Sequence, residues 1–414
     1  MTLPTQASIA RPEERPRAGY RRVGPMQMLS YMARWVPGFF WQKLVRPQPS
    51  EPCHLIFSLA DHFEPAIVPE DGAARSPYAE QERRLERWCR EYPRRFADYR
   101  DADGRPFVHT YFYPAEQYDR SLIARLAEHC REGWGEIEIH LHHGVAAPDT
   151  AENTRRQLIE FRDRLAIEHG CLAYSSDSAQ PRYGFVHGNF ALANSNHGLA
   201  CGVDNEMQVL AETGCYADFT LPTGVFHRAQ TSKINSIYEC GLPLSERAPH
   251  RTGRDVARGR APQVFPLIVQ GPLLMDLNRP NGSRRWGVEN AALTGANPPS
   301  LHRLDLWKQA EISVHGRPDW LFIKLHTHGM DARHEEATLG SAIQAFLRDL
   351  VEGAEKRKEI LHFVSAREMF NIILAACDGR EGNPGAYRDY HLKRERPEPS
   401  VSERDRSSAG ILKG

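Results

Sequence analysis

With 414 residues the chain is long enough for one large α/β domain or two smaller ones plus extensions. Lys+Arg and Asp+Glu both number 53, so the formal net charge is zero, which argues against a general electrostatic attraction to nucleic acid. The eight cysteines are scattered from Cys53 to Cys377 with no C-x-x-C pair, as expected of reduced thiols in a cytoplasmic protein, and no apolar run of about 18 residues offers a membrane span.

Residues 1–50 form a basic, aromatic arm. Arginines crowd Arg11 to Arg22, and Met26 to Leu44 is rich in Met, Trp and Phe. Arg34 and Pro37 interrupt the apolar core that a cleavable signal needs. Two readings remain for this segment. One is an arm packed against the domain; the other is a helix lying on a membrane surface, which would hold a cytoplasmic protein at the inner face of the membrane.

From residue 51 strands and helices alternate. His54 to Ala60 is a short apolar run ending in Asp61-His62-Phe63-Glu64-Pro65, the pattern of a buried parallel strand. Tyr78 to Tyr99 has helical spacing, Phe107 to Tyr113 is the next strand, and Gln117 to Arg131 is again helical. Gly135 to Gly144 then reads G-E-I-E-I-H-L-H-H-G. Period-two alternation puts Ile137, Ile139 and Leu141 on one face and Glu136, Glu138, His140 and His142 on the other. Two imidazoles two residues apart, with His143 beside them, form a compact set of the commonest protein metal ligand.

A helix is expected from Thr150 to His169, then a strand from Tyr183 to Phe190 with His187 and Asn189 on one face. Asp204 to Thr213 is helical with Asp204 as N-cap, and Cys215 to Pro222 is a strand carrying Asp218. Thr223 to Gln263 loses regular pattern, is basic in excess and reads as a long inserted loop, either a cover for substrate or a solvated insertion. Val264 to Gln270 restarts a strand, Leu301 to Gln309 is helical, and Trp320 to His328 places Lys324, His326 and His328 on one face. A helix (Leu339 to Glu355), a strand (Ile360 to Val364) and a helix (Ala366 to Ala376) close the unit at about residue 377, leaving 378–414 as a charged, loose tail.

About seven strand–helix units predict an α/β fold, a distorted (β/α) barrel of parallel strands with its chemistry at the strand carboxyl ends. Asp61 and His62, His140 and His142, His187 and Asn189, Asp218, and His326 and His328 all fall there. Buried imidazoles and carboxylates without partners cost several kcal/mol, so such a convergence argues for a divalent metal, with Zn²⁺ the expected ion.

The order of these features resembles the polysaccharide deacetylase family, the chitooligosaccharide deacetylase (NodB) homology group, over Cys53 to Ala376. L-A-D-H stands where the family's first strand ends in Asp-Asp, and E-I-E-I-H-L-H-H stands where its metal-binding histidines lie. F-V-H-G-N-F, L-A-E-T-G before C-Y-A-D, I-K-L-H-T-H and H-F-V-S-A-R-E-M-F are similar to its later motifs. The resemblance implies a distorted barrel and a metal-dependent hydrolase that removes an acyl group from a carbohydrate, with de-N-acetylation or de-O-acylation of a surface or exported polysaccharide as the reaction. Only one carboxylate replaces the family's two. Asp61 is thus either the metal ligand, with Ala60 in place of the base, or the base, with His62 in place of the ligand. The family's second histidine would fall at Gly144 or Ala146, so the ligand pair is drawn from His140, His142 and His143. The third motif lacks its Arg and Pro. For such a reaction Asp61 or Glu64 is the expected base, His326 or His328, whose imidazole titrates near neutral pH, the expected acid, and His187, Asn189, Asp218 and Lys324 are expected to face the substrate. Two further functions are compatible with the sequence: a glycoside hydrolase using two of Asp61, Glu64, Asp204, Glu206 and Asp218, and a carbohydrate-binding scaffold of polysaccharide assembly without catalysis.

Overall fold

The computed structural model describes residues 25–46, 49–69, 74–223, 227–277 and 287–394. Its centre is a ten-stranded sheet. The strands in chain order are β1 (Cys53–His62), β2 (His109–Pro114), β3 (Gly135–Leu141), β4 (Tyr183–His187), β5 (Cys215–Asp218), β6 (Ile237–Cys240), β7 (Gly253–Asp255), β8 (Leu267–Val269), β9 (Trp320–Thr327) and β10 (Glu359–Phe363). Spatially they run β9-β1-β2-β3-β4-β5-β8-β6-β7, with β10 also on β1. All pair in parallel except β6 and β7, which are antiparallel additions at one edge.

Helices cover both faces. α1 (Pro25–Val45) and α8 (Ala366–Cys377) lie on one face, and α2 (Tyr78–Phe96), α3 (Arg120–His129), α4 (Ala151–Asp163), α5 (Glu206–Thr213) and α7 (Ser341–Gly353) on the other. α6 (Leu301–Gln309) adds Leu304 and Trp307 to the second core and Leu306 to the first. Strand alternation divides the sheet accordingly. Leu55, Phe57 and Leu59 of β1, with Ile137, Ile139 and Leu141 of β3, meet α2 to α5. Ile56 and Ala60 of β1, Phe112 of β2 and Val186 of β4 share a core with Met369, Phe370 and Ile373 of α8. α8 starts at a capping box, in which Ser365 and Glu368 each satisfy the other's backbone N–H, and it is buried on every side.

The sheet is open, which corrects the closed-barrel expectation. β9 pairs with β1 along one edge. Its other edge, which a barrel would need, is occupied at His326, where Leu293 N donates to His326 O (2.8 Å) and His326 N to Ala291 O (3.0 Å). β10 and β2 share one side of β1, along Cys53–Phe57 and Leu59–His62 respectively.

Two boundary expectations also change. The inserted segment is not irregular throughout: β6 and β7 pair within it and extend the sheet, and residues 224–226 lie outside the described residues. The expected loose tail packs as far as Arg394. Buried Arg388 donates to Asp101 (2.8 Å) and Asp103 (2.6 Å), and Leu392 pairs with Ser175. Residues 395–414 lie outside the described residues, as do residues 1–24 of the expected arm. Asp204 does not cap α5; Asn205 holds that position, and Asp204 accepts from Asn194 Nδ2 instead. All eight cysteines are free and buried, and among the described residues no helix is long and apolar enough to cross a membrane.

Candidate metal centre

At the carboxyl ends of β1, β3 and β9 the α8-facing side of the sheet turns from apolar to polar. His62 ends β1, His140 lies in β3 with His142 just beyond it, and Lys324 and His326 lie in β9, followed by His328. Glu64, two residues past β1, turns into the same space. Its Oε1 lies 3.3 Å from His140 Nε2 and 3.5 Å from His142 Nε2. The His62 ring is 4.7 Å from the rings of both His140 and His328 and 6.2 Å from that of His326. Two ligand triads share Glu64 here: Glu64–His140–His142 and His62–Glu64–His328, each with the donor atoms and spacing to hold a metal ion.

The tautomers define what these groups offer. His140 Nδ1 lies 3.1 Å from Val186 O, and a carbonyl only accepts, so Nδ1 carries the proton and Nε2 presents a lone pair. His142 Nδ1 donates to Glu116 Oε1 at 2.7 Å, which likewise turns the Nε2 lone pair toward Glu64. Burial and the neighbouring imidazoles push His140 below its ordinary pKa, so a second proton on that ring is disfavoured. Burial opposes ionisation of Glu64, and only donation from His140 with positive charge at His142 and His328 would hold the carboxyl well below the usual range, so Glu64 stays ionised here where positive charge, as protons on these rings or as a metal ion, stands beside it. With Nε2 unprotonated on both rings, imidazole lone pairs face a carboxylate oxygen in a buried space, an arrangement that repels unless a cation lies between. The orphaned polar atoms agree: Glu64 Oε1, His140 Nε2, His62 Nδ1 and His326 Nδ1 are all buried without a hydrogen-bond partner. Gly188 makes room for the His142 ring, since a Cβ there would lie 2.3 Å from it.

The sequence did not single out Glu116. It lies in the short turn after Pro114, and only the fold brings it to β3. Asp61 is placed differently from the expectation. Adjacent strand residues point to opposite faces, so with His62 on the α8 side Asp61 lies on the helix-covered side. There it accepts from Gly329 N (2.6 Å) and meets His109 Nδ1 (3.0 Å). Gly329 has to be glycine at that approach, because a Cβ would lie 2.3 Å from Asp61 Oδ2. Asp61 is thus neither ligand nor base in this geometry.

Lys324 and Asp218 lie deeper. Lys324 Nζ donates to Phe219 O (2.8 Å) and Leu221 O (2.6 Å), and burial lowers its pKa to about 7. Burial raises Asp218 to about 7, and Thr220 Oγ1 donates to it at 2.7 Å. Both are committed to protein groups rather than turned toward a substrate. Below His140 on β3, burial lifts Glu138 to about 8, and Gly184 N donates to its Oε2 at 2.6 Å.

His143 and His187 form a separate cluster on the helix-covered face, with Cys201 and Glu206. The residue types there can also hold an ion, but the hydrogen bonds favour protons. His143 Nε2 lies 2.7 Å from Glu206 Oε1, and its Nδ1 lies 3.1 Å from Asp149 Oδ2, so both ring nitrogens face carboxylates. Although burial opposes it, this pairing raises His143 well above its ordinary pKa, giving an imidazolium. His187 Nδ1 accepts from Asn189 N (3.2 Å), which leaves the proton on Nε2 and removes that atom as a ligand. His143 thus belongs to a buried charge network, not to the metal set, and Asn189 serves His187 through its backbone. The carboxylate set Asp101–Asp103 with His362 also groups ligand types, yet Arg388 already supplies its cation.

The Glu206 pairing makes a stability prediction. Burial disfavours the Glu206 carboxylate, but His187, His143 and Ala193 N outweigh burial and lower it to about 2. A depressed carboxyl contributes stability above its unfolded value, near 4.5, which is lost as pH falls through about 2. Glu206→Gln is expected to cost roughly 3–5 kcal/mol at neutral pH, since it leaves a buried imidazolium short of one partner. Urea midpoints measured down the acid range should show the gap to wild type closing; a gap independent of pH would rule out this ion pair.

Comparisons with family models, with curated proteins and with solved structures give no match.

Proposed function

We propose that this protein is a metal-dependent hydrolase acting on a carbohydrate, with removal of an N- or O-linked acyl group as its reaction. The observation that carries the reading is the pair of Nε2 lone pairs on His140 and His142, both directed at the Glu64 carboxylate in a buried space. Two imidazoles and one carboxylate are a donor set suited to Zn²⁺ with a coordination position left for water or substrate. Such an ion, when bound, polarises an acyl carbonyl and makes water more acidic.

The remaining roles belong to this chain's own residues. Val186 O and Glu116 fix the two histidine rings and raise their basicity. His62 and His328, which also group with Glu64, are close enough to each other to relay a proton between a water and a leaving group. The carbohydrate substrate follows from the resemblance in strand-end layout.

The two-carboxylate glycosidase reading is less well supported. Asp61, Asp204, Glu206 and Asp218 are each held by hydrogen bonds to protein groups, and of the five carboxylates considered only Glu64 faces His140 and His142. Zinc content by plasma mass spectrometry, together with acetate release from acetylated chitooligosaccharides, tests the proposal. Stoichiometric zinc with zinc-dependent acetate release supports it. Absence of metal under every loading condition removes it, and glycan binding without acetate release would favour the scaffold function.

A further inference from the structure

α1 is apolar on two opposite faces. Tyr31, Trp35 and Phe39, spaced four apart, are buried, and the last two join the core beside α8. At about 100° per residue, Met26, Leu29, Ala33, Pro37, Phe40 and Leu44 line the opposite side, with Trp41 beside them. Met26 is 82% exposed, Leu44 81% and Trp41 66%. Six of the thirteen large apolar side chains exposed among the described residues lie on this one helix, a concentration that scattered surface residues do not produce.

Basic residues flank the stripe on both sides, with Asp305 and Glu311 beyond Lys43. α1 contains Arg34 and Lys43 on its two flanks and no acidic residue. Arg34 Nη1 donates to Arg228 O (3.1 Å), bringing the helix against the loop that carries Arg228. Arg251 Nη2 donates to Ser195 O (2.7 Å), and Arg34, Arg247 and Arg228 all act electrostatically on Arg251, which groups the four together. Arg34, Arg228, Arg247 and Arg251 lie close enough to repel one another, and among the described residues none of them is ion-paired to a carboxylate. A group of four such arginines is a local positive patch that favours anions from outside. The sequence just before α1 adds Arg15, Arg17, Arg21 and Arg22.

We infer that this face docks on an anionic membrane surface, with Met26, Leu29, Phe40, Trp41 and Leu44 entering the headgroup layer and the arginines meeting lipid phosphates. An apolar helix face with Trp and Phe and basic residues on its flanks matches both parts of such an interface, whereas a protein partner would have to supply apolar and acidic surface together. The docking stands on these residues alone. It also brings the histidine site toward the bilayer: Arg228 follows His227, whose ring is 6.0 Å from Phe190, and Phe190 is 6.2 Å from His62. Where that site is the hydrolase proposed above, its substrate is one displayed at a membrane surface.

The test is co-sedimentation of the purified full-length protein with vesicles of phosphatidylcholine alone or mixed with phosphatidylglycerol. Binding is expected only with phosphatidylglycerol and should weaken as salt is raised. Arg228→Glu and Arg247→Glu should each lower binding about fivefold or more, at roughly 1 kcal/mol per basic residue near the surface. Trp41→Glu with Leu44→Glu should abolish it. These side chains are exposed, so an unchanged melting temperature separates lost docking from misfolding. Failure to sediment with either vesicle overturns the inference, and so does binding indifferent to lipid charge and to the variants. Self-association in sedimentation velocity that Trp41→Glu abolishes would assign the face to a second copy of the chain and overturn it as well.

Discussion

His140→Ala is expected to remove stoichiometric zinc and to lower hydrolytic turnover at least ~1,000-fold, more than the roughly 10- to 100-fold that loss of a residue behind a ligand costs. The reason is geometric. His140 is wholly buried, its Nδ1 is committed to Val186 O, and its only other group is the Nε2 lone pair facing Glu64. The substitution deletes an orphaned polar atom along with the ring, so thermal stability of the metal-free protein should change little more than a cavity of that size requires. Glu116→Gln gives the graded comparison, because it weakens the orientation of His142 without removing a lone pair. His143→Ala gives the opposite pattern: it should destabilise the fold by breaking the contacts with Glu206 and Asp149 and leave zinc bound. Zinc loss in His143→Ala with zinc retained in His140→Ala would transfer the metal to the helix-side cluster.

These variants also separate what was legible in the sequence from what was not. Alternation in G-E-I-E-I-H-L-H-H-G correctly puts Glu136, Glu138, His140 and His142 on one face, because β3 carries apolar residues only at alternate positions. β1 lacks that signal. It is buried on both sides, so Leu55, Phe57 and Leu59 alternate with Ile56 and Ala60, and both registers read as apolar. The choice between Asp61 and His62 therefore depended on which face α8 covers, a tertiary fact. Glu116 was hidden for the same reason, since a turn delivers it to a histidine far away in sequence, and Glu206, a candidate carboxylate from the sequence, gave no sign of its pairing with His143. Barrel closure failed on a long-range contact as well: nothing local in Ala291 to Leu293 announces that it will take the edge of β9. The strands read from local pattern form with boundaries shifted by a few residues, whereas β6 and β7, in the segment read as irregular, were missed.

Glu64→Gln is expected to produce two changes of opposite sign. In the metal-free protein with the Nε2 atoms unprotonated, an ionised Glu64 faces the lone pairs of His140 and His142, so the charge is buried and opposed. Glutamine has the same shape and brings an NH₂ group that can donate to one of those nitrogens, while its loss of charge removes the repulsion. Chelated Glu64→Gln should therefore be more stable than chelated wild type by about 1–3 kcal/mol, the range for satisfying a buried polar group. With zinc the order reverses. Wild type should gain about 4 kcal/mol at a free zinc concentration a thousandfold above its dissociation constant, whereas the variant, having lost the shared carboxylate of both triads, should gain little. Thermal melts of both proteins with chelator and with zinc read this directly as curves that cross. A histidine pair that needs no cation predicts the contrary: Glu64→Gln would lower the melting temperature in chelator, and zinc would shift neither protein. The crossing tests the centre without reference to any substrate, so it holds even if the carbohydrate assignment falls.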